Sequence, residues 1–211
     1  MAYKPSDFAA GFGDVVSILL PGSVLAYMML PPVARFATNV GMPPVADGTA
    51  RWVAFSVAAY FLGHLAFLLG ALLDYAYDPI REFIRPPGSD QLFEEAKKVR
   101  DRNAAAKAAD LKVYRFAKAH LALRAPSAAA DIARVEAESK FFRSVVAVLA
   151  LLLLGYWEFL TSGPRFWGLV VLVLGFWRYA ERRFKSNEQA FTLVIVDAGA
   201  QGSALKADTS A

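Results

Sequence analysis

Four stretches of the chain carry almost no charge, and they set the expected architecture. No formal charge lies between Asp14 and Arg35 or between Arg51 and Asp74. A bilayer core of about 30 Å is crossed by about 20 helical residues, so spans are expected over about 15–33 and 52–73. A third run, Ser144 to Leu160, is interrupted only by Glu158, and a fourth runs from Phe166 to Trp177 and on through Arg178 to Ala180. These give spans over about 144–161 and 165–180, joined by a turn at Thr161, Ser162, Gly163 and Pro164. The fourth run has 12 uncharged residues, about 18 Å of helix, and crosses only if Arg165 and Arg178 snorkel at its ends. Trp157, Phe159, Phe166, Trp167 and Trp177 sit at the ends of the runs, where interfacial aromatic belts form. The expected fold class is all-α: an integral membrane four-helix bundle with a cytosolic helical extension.

The organisation that follows is a transmembrane hairpin at 1–74, a cytosolic helical domain at 75–143, a second transmembrane hairpin at 144–190 and a C-terminal tail at 191–211. Pro86, Pro87 and Gly88 stop whatever continues from the second span, and Ser89 is placed to cap the next helix. Leu92, Phe93, Ala96 and Val99 then recur at helical spacing among charged residues, which predicts an amphipathic helix. Leu111, Tyr114, Ala117 and Leu121 predict another that ends near Arg124. Pro126 and Ser127 open a third helix with no breaker before Gly155, which is expected to run unbroken into the third span. Residues 197–211 are small, polar and aperiodic, and are expected to be loosely held.

Composition agrees with this reading. Of 211 residues, 56% are hydrophobic, against about 45–50% in soluble domains. Lys4, the 14 Lys and Arg from Arg81 to Arg143, and five more from Arg178 to Lys206 fall on one side of a four-span map. Arg35, Arg51 and Arg165 fall on the other. Basic residues concentrate on the cytoplasmic side, so both termini and the middle segment are expected there. The net charge of +4 then reads as topology and contact with the lipid bilayer, with no specific nucleic acid expected. The first run reads as a span, not a cleaved signal: Asp7 and Asp14 precede it and no small-x-small site follows Leu30.

Candidate chemistry lies mostly in the second span. Ser56, Gly63 and Gly70 stand seven apart, with Ala59 and Ala66 between them, forming a seam of small side chains that lets another helix approach closely in lipid. That helix could belong to the same chain or to a second copy. His64 lies beside the seam, with Tyr60 one turn before it and Asp74 on the same helical face. An ionisable residue within a span is a candidate for a pore or proton-sensitive role, although a single neutral histidine is also easily accommodated by packing. Pro21 and Gly22 interrupt the first span, where a kink or broken helix is expected. Amphipathic faces on fewer than 70 cytosolic residues leave little core, so a homo-oligomer or a cytosolic protein partner is expected to cover them.

Arg115 and His120 have the R-x4-H spacing of HEPN-class ribonucleases, in which the histidine acts as acid or base. On a helix, however, that step places the two side chains about 140° apart. With no cysteine there is no thiol nucleophile or Cys-built zinc site. No phosphate-binding glycine loop, nucleophile elbow or HExxH pattern occurs. No enzyme activity, cofactor or metal is expected.

Pro21-Gly22, Gly63-His64-Leu65 with Gly70 and Asp74, and Glu138 to Arg143 leading into Ser144 to Leu154 resemble a group of small four-span bacterial membrane proteins. Some of these are similar to accessory or effector proteins encoded beside anti-phage systems, including type VI CRISPR loci. The resemblance implies an oligomer in the bacterial inner membrane and loss of membrane integrity on activation. The leading expectation is therefore a pore-forming or membrane-perturbing effector in antiviral defence. Its rival is a non-conducting membrane anchor or regulator that recruits a cytosolic partner, and a membrane-tethered HEPN-like ribonuclease is a distant third.

Overall fold

The computed structural model describes residues 5–41, 48–84, 88–103 and 111–208, and all regular structure among them is helical. The helices are α1 (Pro5–Asn39), α2 (Thr49–Gly70), α3 (Leu73–Ile84), α4 (Ser89–Asn103), α5 (Val113–Arg124), α6 (Pro126–Tyr156) and α7 (Ser162–Asp208). A short 3-10 turn at Trp157–Phe159 separates the last two. The chain divides into two compact units. One comprises Met1–Ala10, Ile80–Glu136 and Glu181–Ala211, and the other Gly11–Pro79 and Ala137–Ala180.

Among the described residues, three stretches are long and apolar enough to cross a membrane: Val15–Asn39, Thr49–Ile80 and Pro126–Phe159, each with only 22–28% of its most apolar window buried. The fourth apolar run lies within α7 and is not among them, because Arg165 and Arg178 bound it too closely.

The unit built from Gly11–Pro79 and Ala137–Ala180 buries many small residues, beside Leu25, Val148, Leu153 and Tyr179, and leaves many large apolar residues outside. Ala26, Ala59, Ala66, Ala147, Ser17 and Ser144 are buried, whereas Tyr27, Phe61, Leu68 and Trp167 are each more than 60% exposed. That inversion suits an apolar solvent, in which tight helix contact between small residues is the main source of packing energy. Leu25, Ala66 and Val148 bring α1, α2 and α6 into one cluster. Helices α6 and α7 run antiparallel: Gly168 faces Leu153 and, seven residues further along α7, Gly175 faces Val146, seven residues earlier in α6.

Of the expected kink or break, the break does not occur: α1 is helical through Pro21, and through Pro31 and Pro32 as well. Pro21 removes one N–H from the ladder. Beside it the Ser23 hydroxyl donates to the Leu19 carbonyl at 2.7 Å, and Gly22 is pressed onto the backbone of α2.

The other unit has a core of conventional polarity. Ala96 of α4, Val113, Phe116, Ala117 and Leu121 of α5, Ile132 of α6, and Ala190, Phe191 and Val194 of α7 form a single cluster. Residues 191–196 continue α7 and so do residues 197–208, which were expected to be loosely held, and the buried face Ala190-Phe191-Val194 is what covers the amphipathic helices. The small polar residues after Asp197 obscured this, since alanine and serine are adequate helix formers once one turn is anchored. The apolar face of α5 includes the expected Ala117 and Leu121, with Tyr114 packed against the core, but begins at Val113 and Phe116, while Leu111 precedes the helix and is exposed. The expected breakers Pro86 and Pro87 lie outside the described residues. Gly88 has φ of 95°, a left-handed conformation that glycine adopts without strain. Ser89 does not act as a cap: it is the first residue of α4, and its buried hydroxyl finds no hydrogen-bond partner among the described residues.

Candidate functional site

The seam of small residues is occupied by the chain itself. Ala59, Gly63, Ala66 and Gly70 are the buried residues of α2. A methyl group on Gly63 would overlap the Ile18 carbonyl of α1, and one on Gly22 would overlap the Ala59 carbonyl and stand 2.8 Å from Gly63 Cα. One turn beyond Ala66, a methyl on Gly70 would lie 3.2 Å from the Arg143 carbonyl of α6. Ser56, expected to extend the seam, is exposed, as is Tyr60.

His64 is half-buried, and its ring meets Tyr60 edge-on at 4.5 Å between centroids. Asp74 belongs to a different setting. Helix α2 ends at Gly70, and the hydrogen bonds Leu72 N to Leu69 O and Asp74 N to Ala71 O are of the tighter i to i+3 kind. Three residues per turn in place of 3.6 rotate everything downstream, so the single helical face expected to carry His64 and Asp74 is not continuous.

Asp74 instead anchors a polar cluster. Arg143 Nη1 of α6 donates to Asp74 Oδ2 at 3.2 Å, and the Tyr179 hydroxyl of α7 donates a short hydrogen bond to Asp74 Oδ1. The Arg143 guanidinium also lies over the Phe67 ring at 4.5 Å, and the Tyr77 and Tyr179 rings meet edge-on at 5.8 Å. Arg143 is deeply buried and Asp74 partly so, with side chains 11% and 33% exposed. A charge in such a place is tolerated when paired and hydrogen-bonded, and here both carboxylate oxygens accept bonds. The Arg143 Nε is the exception, buried without a hydrogen-bond partner among the described residues. Asp74 ends the second apolar run, Arg143 precedes the third and Tyr179 lies at the end of the fourth, so the cluster fastens three run ends at one level. Sequence reasoning found Asp74 but missed Arg143 and Tyr179. Their signal was position: one cationic and one phenolic residue, each at the margin of an apolar run.

The other unit carries two further groups of polar contacts. His120 Nε2 lies 2.8 Å from Asp197 Oδ2 of α7, with its ring 5.7 Å from that of Phe116. Arg115 is on the exposed side of α5, and no contact brings it to His120, in keeping with the 140° helical offset. Tyr114 shares hydrogen bonds with Ser186 at 2.9 Å and with Glu136 at 3.1 Å, and Lys118 pairs closely with Glu136. Burial pushes the Tyr114 phenol up to about 12, with the Glu136 carboxylate adding to the rise and the Ser186 hydrogen bond opposing it. Asp197 was lost to sequence reasoning because it stood in the segment read as a tail.

Among the described residues no group of three or more His, Asp or Glu side chains converges in the manner of a metal site. The chain matches no family model, no curated protein and no solved structure.

Proposed function

We propose that the chain is a four-span membrane protein that acts as a non-conducting anchor or regulator, displaying a folded helical module from residues 75–143 together with the end of α7 on the cytoplasmic side. The run at Phe166 to Trp177 makes the fourth crossing. Support for that crossing comes from the antiparallel pairing of α6 with α7 and from the Asp74, Arg143 and Tyr179 cluster, which holds the ends of three apolar runs together. The strong excess of Lys and Arg outside the runs supports the orientation.

The observation that carries the anchor reading is the backbone contact of Gly22 with Gly63. It uses within one chain the seam and the Pro21-Gly22 segment that otherwise suggest a pore built from several copies. The module's closed core supports the same reading, since a self-contained domain can recruit a partner without first needing one to fold. Membrane potential during induced expression tests it. An anchor leaves the potential intact with and without a cytosolic partner, whereas depolarisation that vanishes in His64→Leu contradicts it.

A second reading rests on the exposed Tyr60 and half-buried His64. A polar ring pair on the outer side of a span suits contact with a second copy. On that reading the protein is an oligomeric pore-forming or membrane-perturbing effector, as the resemblance to proteins encoded beside anti-phage systems implies. Cross-linking through Tyr60→Cys in membranes separates the two: a ladder of copies supports the oligomer, and a single band supports the anchor.

A further inference from the structure

We infer that the end of the α6 to α7 hairpin holds one phospholipid, with an acyl chain in the cleft beside Gly168 and the phosphate on Arg165. This rests on the membrane reading above and adds a specific ligand site to it.

The cleft, about 240 Å³ in volume, is lined by Met28 of α1, Leu149, Leu152, Leu153 and Tyr156 of α6, and Gly168 of α7. Drug-sized ligands occupy roughly 300–1,000 Å³ with a few convergent polar groups. This cleft is smaller and almost wholly apolar, which suits one slender hydrocarbon segment. The Tyr156 hydroxyl is directed to the Met28 carbonyl at 3.4 Å, so it offers its proton to the wall and not to an occupant. Gly168 is what lets α7 come close to Leu153: a methyl there would stand 2.5 Å from Leu153 Cδ2.

Charge complementarity identifies the occupant as a phospholipid and not as a free hydrocarbon or another helix. Arg165 stands one turn before Gly168 on α7, and residues three apart share a helix face. Its Nε donates to the Trp157 carbonyl at 2.9 Å, and its guanidinium lies 5.0 Å from the Trp157 ring centroid. These two contacts fix the guanidinium plane and leave its Nη groups without a hydrogen-bond partner among the described residues. A planar cation held in this way is suited to accept a phosphate. The exposed rings of Trp157, Phe166 and Trp167 mark the headgroup level, where such a phosphate resides. Glu158, exposed on the same turn as Trp157, adds a negative charge to this end of the hairpin, so the site is expected to choose by phosphate and chain and not by net headgroup charge.

Native mass spectrometry of the detergent-extracted full chain, supplied with phosphatidylethanolamine, phosphatidylglycerol or diacylglycerol, tests the inference. We expect one lipid retained per chain, equally for the two phospholipids and about tenfold less for diacylglycerol. Arg165→Gln should lower retention about tenfold, as losing one charge-assisted contact does, and Leu149→Trp, which fills the cleft, should lower it by excluding the acyl chain. Both variants should keep the wild-type elution volume and helical content. Equal retention of diacylglycerol, or full retention in both variants, overturns the site. Alkaline carbonate extraction keeps the two readings apart: protein that stays in the membrane pellet but retains no lipid overturns this inference alone, and protein released to the wash overturns the membrane reading with it.

Discussion

Gly22 of α1 and Gly63 of α2 meet backbone to backbone: a methyl on Gly22 would stand 2.6 Å from the Gly63 nitrogen. No rotamer change relieves such an overlap, because the obstructing atoms belong to the main chain. Gly63→Ala and Gly22→Ala should each destabilise the chain by at least the roughly 1–3 kcal/mol typical of overpacking. Gly155→Ala in α6, with nothing near the added methyl, should instead stabilise by about 0.5–1 kcal/mol. Thermal unfolding in one detergent, comparing the three variants, checks both signs.

The Asp74 and Arg143 pair gives a second test. Removing one member of a buried ion pair costs about 3–5 kcal/mol, and the partial exposure of Asp74 sets the expectation for Arg143→Ala near the lower end, at about 3 kcal/mol. Tyr179→Phe deletes one hydrogen bond and should cost about 1 kcal/mol. Combined Asp74→Leu and Arg143→Met should cost less than Arg143→Ala alone, because no charge is then left unpaired. A double-mutant cycle measured by unfolding midpoint reads these differences.

Much of the helical pattern was legible in the spacing of apolar residues, down to α6 opening at Pro126, but the turn expected at Thr161 to Pro164 falls earlier, at residues 157–161, and Ser162, Gly163 and Pro164 begin α7. The phase of the short helices was legible too, since Ala96, Ala117 and Leu121 lie in the core and Phe93, Val99 and Tyr114 pack against it. The start of α5 was not: Leu111 precedes the helix, which begins at Val113. The candidate site was half legible. Ala59, Gly63, Ala66 and Gly70 form a seam that can be read from their spacing, but whether the partner is α1, α6 or a second copy is a tertiary question. Arg143, Tyr179 and Asp197 each find their partner across 69 to 105 residues of chain, beyond the reach of any local pattern.

The C-terminal half of α7 should behave as part of the module's core. Phe191→Ala removes a buried aromatic ring and is expected to cost about 3–5 kcal/mol, with loss of amide-exchange protection in α4 and α5. His120→Ala should weaken protection around Asp197 to a smaller degree. Unchanged exchange in α5 after Phe191→Ala would show that α7 does not close this core.

Tyr114 provides a pH signature. Its folded value is about 12 against an ordinary value of 10.0. Above pH 10 the unfolded chain therefore loses this proton while the folded chain keeps it. Stability from this group is complete below pH 10 and is lost as pH rises from 10 towards 12. The difference between the ultraviolet titrations of the wild type and of Tyr114→Phe should be one tyrosine ionising near pH 12.

The central claim is that all four apolar runs cross the bilayer and leave the helical module on the cytoplasmic side. Because the chain has no cysteine, single cysteines at Val45, Thr161, Ala105 and Gln201 can each be probed in intact cells with a membrane-impermeant maleimide. The account predicts labelling at positions 45 and 161 before lysis, and at 105 and 201 only after it. Positions 161 and 201 labelling alike would show that α7 does not cross, and positions 45 and 105 labelling alike would contradict the whole map.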